Sequence, residues 1–552
     1  MNDDSPKAAA PAAASTPPRS SRAASFLIAA GILLSRVVGL IRNRVVATYF
    51  GAGMHADVLA AGLRMPNVLQ NLLGEGTLSA SFIPVYSSLL GQGRTKEAGR
   101  LAGAMFALLL GIAGVVALLG VLLAPVFVTI FTPGFVGHQR ELMIDFVRII
   151  FPMTGVLVLS AWALGILNSH RKFFIPYFAP VMWNVAIISA FIGFHGRVSL
   201  DGLLMAAGWG ALVGGFLQFG IQLPWVLKLE REIRLTTGRQ DSAFKEVIRN
   251  AGPAIMGRGV VQVSTYVDMI LASLLGLGAV ARIQFAQTLY VLPVSLFGMS
   301  VAAAELPELA REHGGATEAL RERAVAAARR VSFFVVPSFV AFLMLGQVIV
   351  AGIYGAGRFG SADVIAVWLI LAAYSLGLLA STSTRIYQSA FFALRDTKTP
   401  ARVATLRVLT AAICGAVLML QFQPITIRSL TIPGGLFSDL RVAGSSLGPV
   451  GLALGAAAGA WLEWTLLYRS LRKRIGEVGA GLTHLARMFA AALIAGAAGY
   501  GVKVAVGPLH PIIVAVLVLG TFGAVYFGVA RLMGLSEAKV VMDSVLRRVR
   551  RR

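Results

Sequence analysis

Residues 24–49 read ASFLIAAGILLSRVVGLIRNRVVATY, and this stretch decides the class of the fold. Its length suffices for one membrane-spanning helix, because a hydrocarbon core of about 30 Å takes about 20 helical residues. Arg36, Arg42 and Arg44 interrupt its apolar sequence. A charged residue at the centre of a bilayer costs at least about 2.5–3.5 kcal/mol unless it faces a polar interior. The stretch therefore predicts a membrane-spanning helix that borders a polar interior.

The composition extends this prediction from one segment to the whole chain. The 552 residues are 57% hydrophobic and 13% charged, and this charged share is about half of that in soluble domains. The net charge is +24, but the cations fall between long apolar runs, so we expect membrane lipids as partners and no nucleic acid. The one cysteine, Cys414, excludes an internal disulfide and any paired-cysteine metal or redox site.

Apolar segments long enough to cross the membrane recur along the chain, and they predict an all-α polytopic membrane protein of about fourteen membrane-spanning helices. The expected spans are 24–49, 56–91, 101–131, 142–168, 175–195, 202–227, 247–276, 280–309, 329–354, 363–393, 400–421, 446–470, 482–506 and 511–533. Residues 1–23 are mostly Ala, Pro and Ser and lack the apolar run of a signal peptide. We expect them to form a disordered cytoplasmic tail.

The distribution of Lys and Arg predicts the orientation, because cytoplasmic loops carry an excess of these residues. Cations collect in the connections that follow even-numbered spans, whereas the other connections hold only scattered ones. The first group includes Arg94, Lys96 and Arg100; Arg171 and Lys172; Lys228, Arg231 and Arg234; Arg395 and Lys398; and Arg472, Lys473 and Arg474. The pattern predicts an even number of spans, with both termini in the cytoplasm.

A short internal repeat predicts two related halves. Residues 93–100 and 314–321 share the pattern G-x-x-x-E-A-x-R, and they follow spans that are six helices apart. Such a spacing is expected for two parallel six-helix halves, although a motif this short also recurs by chance. We expect one six-helix lobe over 24–228 and another over 247–470. The segment 229–246 links them, two further spans lie in 471–533, and a basic cytoplasmic tail covers 534–552.

Ionisable residues inside the spans are the candidate functional residues, because a polar cavity explains their position at the lowest cost. They include Arg36 and Arg42 in the first span, Asp57, Arg64 and Glu75 in the second, and Arg258 and Asp268 in the seventh. For Arg44 and Arg282, near the ends of spans, extension of the side chain to the membrane surface is the favoured interpretation. For Arg36, Arg42, Arg64 and Arg258 a place in the cavity is favoured over ion pairing within the protein.

A cationic cavity in a helix bundle indicates an anionic substrate. Guanidinium groups form forked hydrogen bonds with phosphate oxygens, so a phosphorylated anion fits this cavity well. A small organic cation would instead require acidic residues in the cavity. The residues alone therefore predict a transporter for an anion, and no paired carboxylates or Ser/His/Asp arrangement indicate an enzyme.

Several strings of the sequence resemble the MurJ (MviN) lipid II flippases of the MOP transporter superfamily. The strings are SRVVGLIR at 35–42, FGAGMHAD at 50–57, RMPN at 64–67, GEG at 74–76, GPAI at 252–255 and DTKTP at 396–400. The resemblance implies two six-helix lobes around a central cavity, with the last two helices forming a groove for a lipid tail. It also implies a function in peptidoglycan biosynthesis at the bacterial plasma (inner) membrane. There the family moves lipid II, the undecaprenyl-pyrophosphate-linked precursor, from the inner to the outer leaflet by alternating access.

The resemblance assigns roles to single residues and also shows departures. Arg36 and Arg42 match cavity arginines of the family, and Asp57 and Glu75 match its acidic positions. Two further family arginines are replaced by Gln70 and Thr288, and we expect Arg258 to supply part of their positive charge. Asp268 matches a sodium-site position, whereas the eleventh-span positions of that site are Ala411 and Gly415. Coupling to sodium or to the membrane potential is therefore an expectation, and no other cofactor is expected.

Two alternatives to lipid II transport stay open at this point. The chain could carry another polyprenyl-linked saccharide, because the departures at Gln70 and Thr288 weaken the assignment of the substrate. It could also be a transport-inactive scaffold that recruits other cell-envelope synthesis proteins through its basic loops. Growth of cells that lack their own lipid II flippase would separate a flippase from a scaffold.

Overall fold

The computed structural model describes residues 19–238, 241–299, 317–427, 430–507 and 509–549. Ten helices of these residues are long and apolar enough to cross a membrane, and a bent pair of helices over 361–393 raises the number to 11. The three other expected spans, 24–49, 56–91 and 247–276, are helical as well. The prediction of an all-α, multi-pass membrane protein is confirmed.

The first half of the chain contains nine helices among the described residues. They are α1 (Arg19–Phe50), α2 (Met54–Leu73), α3 (Glu75–Gly91), α4 (Thr95–Leu122), α5 (Ala124–Phe131), α6 (Gly137–Ser169), α7 (Phe174–Phe194), α8 (Leu200–Gly220) and α9 (Leu223–Leu229). Helix α1 begins before residue 24, where the sequence predicted the end of a disordered tail. The second span is broken at Gly74, between α2 and α3.

The second half begins with α10 (Ser242–Ser273) and α11 (Ala279–Pro293), and the chain continues from α11 as a π-helix over Val294–Met299. The helices that follow are α12 (Thr317–Met344), α13 (Gly346–Tyr354), α14 (Ser361–Ser375), α15 (Leu378–Ala393), α16 (Lys398–Phe422), α17 (Gly448–Ile475), α18 (Leu482–Ala505), α19 (Pro511–Leu532) and α20 (Ser536–Val549). Two small antiparallel hairpins lie between α16 and α17. Their strands are β1 (Ile425–Ile427) with β2 (Leu430–Ile432), and β3 (Arg441–Val442) with β4 (Ser445–Ser446).

Helices pack mainly within each half of the chain. In the first half, α6 packs against α4 and α8, and α7 packs against α8 and α1. In the second half, α17 packs against α16, α15 and α14, and α12 packs against α15 and α18. The two halves meet where α10 contacts α3 and where α11 contacts α2. The exact lobe boundaries stay a prediction.

The connection between the halves is shorter than the expected linker 229–246. Helix α9 ends at Leu229, and α10 begins at Ser242. The earlier start of α10 has a local cause, because the side chain of Asp241 accepts a hydrogen bond from Ala243 N and caps the helix.

The repeated sequence pattern occupies equivalent places in the two halves. Helix α4 begins with Thr95 and α12 with Thr317, so both copies of the glutamate lie in the first turn of a helix. Glu97 pairs with Arg94, and Glu318 pairs with Arg321. An acidic residue in the first turn complements the positive end of the helix dipole. The repeat thus marks the start of the third and the ninth span.

We call the end of the bundle that carries the connections after even-numbered spans the basic side, and the other end the opposite side. The connections 51–53, 274–278 and 355–360 all lie on the opposite side, since each follows an odd-numbered span. These names locate the site described next.

Candidate functional site

A cavity of about 240 Å³ lies between α1, α2, α7 and α11. Its polar lining comes from Arg42 and Asn43 of α1, Arg64 of α2 and Gln284 of α11. The remaining lining is apolar and includes the ring of Trp183 on α7. The structure therefore brings together Arg42 and Arg64, two of the arginines that the sequence predicted for a cavity.

Arg42 is held by neutral groups. Its Nε and Nη2 atoms donate to Oδ1 of Asn43 over 3.3 and 3.0 Å. Its guanidinium carbon lies 5.1 Å from the centre of the Trp183 ring, which is the geometry of a cation–π contact. An amide oxygen and an aromatic face orient a guanidinium but leave its charge in place. Among the described residues, no carboxylate lies within ion-pair distance of Arg42.

Arg64 is oriented in the same way. Its Nε donates to Oε1 of Gln284 over 2.7 Å, and its Nη2 donates to Oε1 of Gln287 over 2.5 Å. Gln287 in turn donates to the hydroxyl of Tyr374 over 2.9 Å. The neutral side-chain amides of two α11 residues therefore hold the guanidinium group of Arg64 in place. Like Arg42, it retains its positive charge for a ligand.

Arg36 lies on the same helix but outside the lining of this cavity. It precedes Arg42 by six residues, which is about 9 Å along a helix. Its Nη1 donates to the hydroxyl of Ser295, in the π-helix that follows Pro293. Proline removes one backbone donor and disturbs the helix before it, which favours such an irregular segment. Arg36 thus lies closer to the basic side than Arg42.

Thr288, at a position where the resemblance implied an arginine, joins α1 to α11. Its hydroxyl accepts from Nδ2 of Asn43 over 3.2 Å and donates to the carbonyl of Gln284 over 2.8 Å. Because Asn43 also holds Arg42, Thr288 helps to position a cavity cation without adding a charge. The side chains of Gln70, Glu75 and Arg258 lie outside the described residues, so their predicted roles stay predictions.

Asp57 does not line the cavity and instead caps a helix on the opposite side. The residue is fully buried. Its Oδ2 accepts from Gly278 N over 2.5 Å and its Oδ1 from Ala281 N over 2.8 Å, at the beginning of α11. Gln139 donates to Oδ2 over 3.4 Å. The free N–H groups and the dipole of a helix start stabilise a carboxylate, so Asp57 fastens α2 to α11.

Three further contacts lie beside Asp57, and those of Asp363 with Ala52 and of Arg358 with Thr48 join the two halves. Arg282 of α11 forms an ion pair of 3.1 Å with Asp363 of α14, and Asp363 also accepts from Ala52 N over 3.4 Å. The backbone N–H of Arg358 donates to the carbonyl of Thr48 over 2.9 Å. We call these contacts, together with the Asp57 cap, the opposite-side seam. The seam connects α1 and α2 with the second half of the chain at the opposite side of the cavity.

The structure corrects the interpretation of two arginines near span ends. The sequence favoured extension of Arg44 and Arg282 to the membrane surface, but both side chains have partners inside the protein. Arg44 donates to the carbonyls of Gly352 and Ile353, over 2.8 Å each, at the end of α13. Carbonyls at a helix end lack partners within the helix and attract a cation. Arg282 is paired with Asp363, as described above.

The sodium site that the sequence predicted at Asp268 stays a prediction. Among the described residues, no group of three or more His, Cys, Asp or Glu side chains is arranged to hold a metal ion. Ala411 and Gly415 have no side-chain oxygen, and both face the glycines of α17. A Cβ atom on Gly455 would lie 2.3 Å from Gly415 N, so the two backbones are in direct contact there. Arg64 and Arg407 are the cations within electrostatic range of Asp268.

A buried ion pair in the second half was not predicted. Glu463 of α17 is only 1% exposed, and its Oε2 lies 2.7 Å from Nη1 of Arg407 on α16. Gln388 of α15 donates to the other oxygen over 3.0 Å. Glu463 lies inside the predicted span 446–470, where a charge by itself indicates a polar partner. Arg407 could be recognised from the sequence in the same way, because it is a charged residue well inside the predicted span 400–421.

An apolar groove of about 370 Å³ runs between α11, α12 and α19. Its lining includes Leu289, Phe297, Phe334, Phe522 and Tyr526. The resemblance implied a lipid groove formed by the last two spans. In the structure α19 lines a groove of this kind together with α11 and α12, and α11 also lines the cationic cavity.

The fold and the site together define a membrane transporter with a cationic central cavity. A profile of the family described as "Lipid II flippase MurJ" matches residues 46–520. The lipid II flippase MurJ of Burkholderia cenocepacia is 30% identical over 528 residues, which cover 92% of this chain and 96% of that protein. The probable lipid II flippase MurJ of Bdellovibrio bacteriovorus is 31% identical over 410 residues, covering 72% and 76%. The chain belongs to the lipid II flippase MurJ family.

Solved structures share this fold. A lipid II flippase MurJ in an inward closed conformation superposes with a TM-score of 0.74 at 22% identity, covering 92% of this chain and 98% of that one. An inward-facing multidrug resistance MATE transporter of the MOP superfamily superposes with a TM-score of 0.62 at 16% identity, covering 82% and 98%. The two six-helix lobes with two additional helices are therefore the arrangement of this family.

Proposed function

We propose that this chain is a flippase for lipid II, the polyprenyl-pyrophosphate-linked precursor of peptidoglycan, and that it moves this lipid from the inner to the outer leaflet. One observation carries the proposal. The guanidinium groups of Arg42 and Arg64 line one cavity, and neutral amides orient both. Two oriented and unneutralised forks suit the oxygens of a pyrophosphate. The names of the relatives support this choice of substrate.

The closed seam and the position of the cations suggest the order of events. The basic side is the cytoplasmic side in this proposal, so the cavity receives the headgroup from the inner leaflet while the opposite-side seam is closed. Release of the Asp57 cap and of the backbone contacts of Ala52 with Asp363 and of Thr48 with Arg358 then opens the other end. Alternating access of this kind needs two states of similar free energy, and a seam of a few polar contacts meets that requirement.

The lipid tail follows a separate path from the headgroup. Each buried CH₂ group is worth about 0.8 kcal/mol, so a long polyprenyl chain gains nothing by entering a polar cavity. The apolar groove between α11, α12 and α19 offers it an alternative. Because α11 lines both spaces, the headgroup and the tail contact successive stretches of one helix, 281–285 and 289–293.

The membrane potential favours this direction of transport. Moving one elementary charge across 100 mV is worth about 2.3 kcal/mol. Lipid II is an anion, and outward movement of an anion is downhill when the cytoplasm is negative. Because Ala411 and Gly415 can supply no side-chain oxygen to a sodium site at Asp268, we propose coupling to the membrane potential. No catalytic step belongs to this function.

In the proposed orientation both termini lie in the cytoplasm of a bacterium, and the protein lies in its plasma membrane. The basic connections would then face the inner leaflet, where other proteins of envelope synthesis can reach them. A cysteine in place of Ser242, on a Cys414→Ser background, tests the orientation. It should react with a membrane-impermeant thiol reagent only after the cytoplasmic side is made accessible. Reaction from outside in intact cells would contradict the proposed topology.

Complementation tests the function. A bacterium whose native lipid II flippase is depleted should grow when this chain is supplied, and it should stop growing when the supplied chain carries Arg42→Ala. Membrane levels of the two chains must be equal. Failure of the parent chain at a normal level would favour a scaffold or a flippase for another lipid-linked saccharide.

A further inference from the structure

The second half of the molecule contains a cluster with more positive than negative charge. The cluster consists of Arg385 on α15, Arg407 on α16 and Glu463 on α17. Arg407 and Gln388 engage the two carboxylate oxygens of Glu463, at 2.7 and 3.0 Å. Two cations therefore accompany one carboxylate. Asp268 of α10 also lies within electrostatic range of Arg407, but among the described residues no carboxylate forms an ion pair with Arg385.

Arg385 is the member without a partner. Its guanidinium group forms no hydrogen bond or ion pair with any residue that the structure describes, and its side chain is exposed. An unpaired cation within a membrane-spanning segment is costly unless it reaches water or an anion. The exposed side chain of Arg385 therefore faces either the lipid or the interior of the helix bundle.

The neighbours of Arg385 on its own helix show that it faces the interior. Ser381 precedes it by four residues and Gln388 follows it by three, so the three side chains share one face of α15. Ser381 accepts a hydrogen bond of 2.9 Å from Tyr290 on α11. Gln388 contacts Glu463 on α17. A face that contacts α11 and α17 points into the bundle, so Arg385 is exposed to a vestibule between the helices and not to lipid.

The vestibule is joined to the cationic cavity by polar side chains of α11. Gln287 contacts Arg64 at one end and the hydroxyl of Tyr374 at the other. The rings of Tyr374 and Tyr290 are 5.5 Å apart, and Tyr290 bonds to Ser381, one turn from Arg385. Polar groups thus continue from the cavity to Arg385 without a large apolar interval.

Arg385 also lies nearer the basic side than the cavity. It precedes the end of α15 at Ala393 by eight residues, which is about 12 Å of helix. The connection that follows carries Arg395 and Lys398 and belongs to the basic side. A ligand that enters from the basic side would therefore meet Arg385 before it meets Arg42 and Arg64.

We propose that Arg385 forms a first anion site, the vestibule site, which receives the anionic headgroup of the substrate before the cavity does. The pair of Arg407 with Glu463 positions α15 and α16 around it. The site takes the group that a guanidinium fork binds, either a pyrophosphate or a peptide carboxylate. It supplies a cation in the second half of the chain, where the resemblance implied an arginine at the position of Thr288. This inference rests on the proposed function for the identity of the substrate.

Direct binding to the full-length protein tests the vestibule site without depending on transport. The probes are undecaprenyl pyrophosphate and lipid II, titrated in detergent against the parent chain and Arg385→Gln. A lost charge-assisted contact should weaken binding by about tenfold. Arg402→Gln is the matched control, because Arg402 is an exposed arginine near the start of α16, and it should leave binding unchanged.

The two probes distinguish the two sources of the anion. Weaker binding of both probes means that Arg385 contacts the pyrophosphate, whereas weaker binding of lipid II alone means that it contacts the peptide carboxylates. Equal affinity of parent and Arg385→Gln for both probes, with the same unfolding temperature, would overturn the vestibule site.

Transport kinetics then separate this inference from the proposed function. In liposomes, Arg385→Gln should raise the half-saturating amount of lipid II by about tenfold and leave the maximal rate within about twofold. Arg385→Lys should restore part of the affinity. Absence of translocation by the parent chain would contradict the flippase function but not the vestibule site. The binding measurement tests the vestibule site independently of transport.

Discussion

The central cavity and the opposite-side seam both contain charged side chains within the membrane region, but the two regions treat charge differently. In the cavity, Arg42 and Arg64 are held by amide oxygens that leave their charge free. At the seam, Asp57 is compensated by the start of α11, and Arg282 is compensated by Asp363. A charged side chain without an ion-pair partner can bind a ligand of opposite charge, whereas a charged side chain that is already paired stabilises one conformation of the protein. The comparison predicts different consequences for substitutions in the two regions.

The largest effect is expected in the cavity. Arg42→Ala should lower transport by about 100-fold, because a lost forked contact with a phosphate is worth about 3 kcal/mol. Arg42→Lys should recover little, since an ammonium group lacks the planar fork. Complementation at equal membrane levels measures the loss.

The control for this prediction is a substitution that removes an arginine elsewhere. Arg402→Ala, at the exposed start of α16, should complement like the parent chain. Arg44 is not a suitable control, because it caps the end of α13. Full activity of Arg42→Ala would show that the cavity does not bind the substrate through this charge.

A smaller effect is expected at the seam. Asp57→Asn keeps an acceptor at the start of α11 but removes the charge, which should weaken the closed seam by about 1–2 kcal/mol. The open state should become about 5 to 30 times more populated. A cysteine at Ala60, in the cavity lining, should then react faster with an impermeant reagent from the opposite side in a Cys414→Ser background.

The matched control for the seam is Asp145→Asn, which removes an exposed carboxylate of α6. It should leave the labelling rate at position 60 unchanged. An unchanged rate in Asp57→Asn as well would mean that the cap does not hold the closed state, and the contrast between the two regions would fail.

The Arg282–Asp363 pair should contribute less than the cap. Both side chains are partly exposed, and partly exposed pairs are worth about 1 kcal/mol or less. The four chains of a double-mutant cycle, with Arg282→Gln and Asp363→Asn, should give a coupling of about that size in the labelling of position 60. A coupling free energy of zero would show that this pair does not stabilise the seam. The Asp57 cap would then be the contact with a charged side chain that does.

The smallest effect is expected outside the membrane, at Asp396 in the connection before α16. Hydrogen bonds from Thr399 and the guanidinium of Arg474 lower the pKa of Asp396 to about 2. A carboxyl whose pKa is lowered in the folded state stabilises it above its ordinary pKa of about 4, and this contribution is lost as the pH falls toward 2. Asp396→Asn should therefore lower the unfolding temperature slightly at pH 7.

The effect of the same substitution should become smaller as the pH falls from about 4 toward 2, because the parent chain then progressively loses the charge of Asp396. Between pH 8 and pH 5 the difference between the two chains should be constant. A difference that changes within this interval would assign the effect to another group.

The sequence was informative about the cavity because its residues are close along the chain. Arg42 and Arg64 lie in neighbouring spans. A charged residue deep in an apolar segment can be recognised from the sequence alone. The spans themselves could be predicted for the same reason, since length and apolarity are local properties. The breaks at Gly74 and after Pro293 were less predictable, because glycine and proline are common in such helices.

The seam and the ion pair of the second half could not be predicted, because their partners are distant in the chain. Asp57 contacts residues near 280, and Arg282 contacts Asp363 only once α11 and α14 have packed. Spacing within one helix gives no information on such pairs. The same holds for Arg407 and Glu463, which require the close glycine-mediated contact of α16 with α17. Packing between distant spans therefore decided which charges were free and which were neutralised.

Reconstituted translocation tests the central claim most directly. Liposomes that contain this chain as their only protein should move lipid II between leaflets, and an inside-negative potential should speed its outward movement. Liposomes with Arg42→Ala, at the same protein content and with the same unfolding temperature, should show only the background rate. Equal translocation by the two chains, or none by the parent chain, would contradict the account of an unneutralised cationic cavity that carries a pyrophosphate-linked lipid.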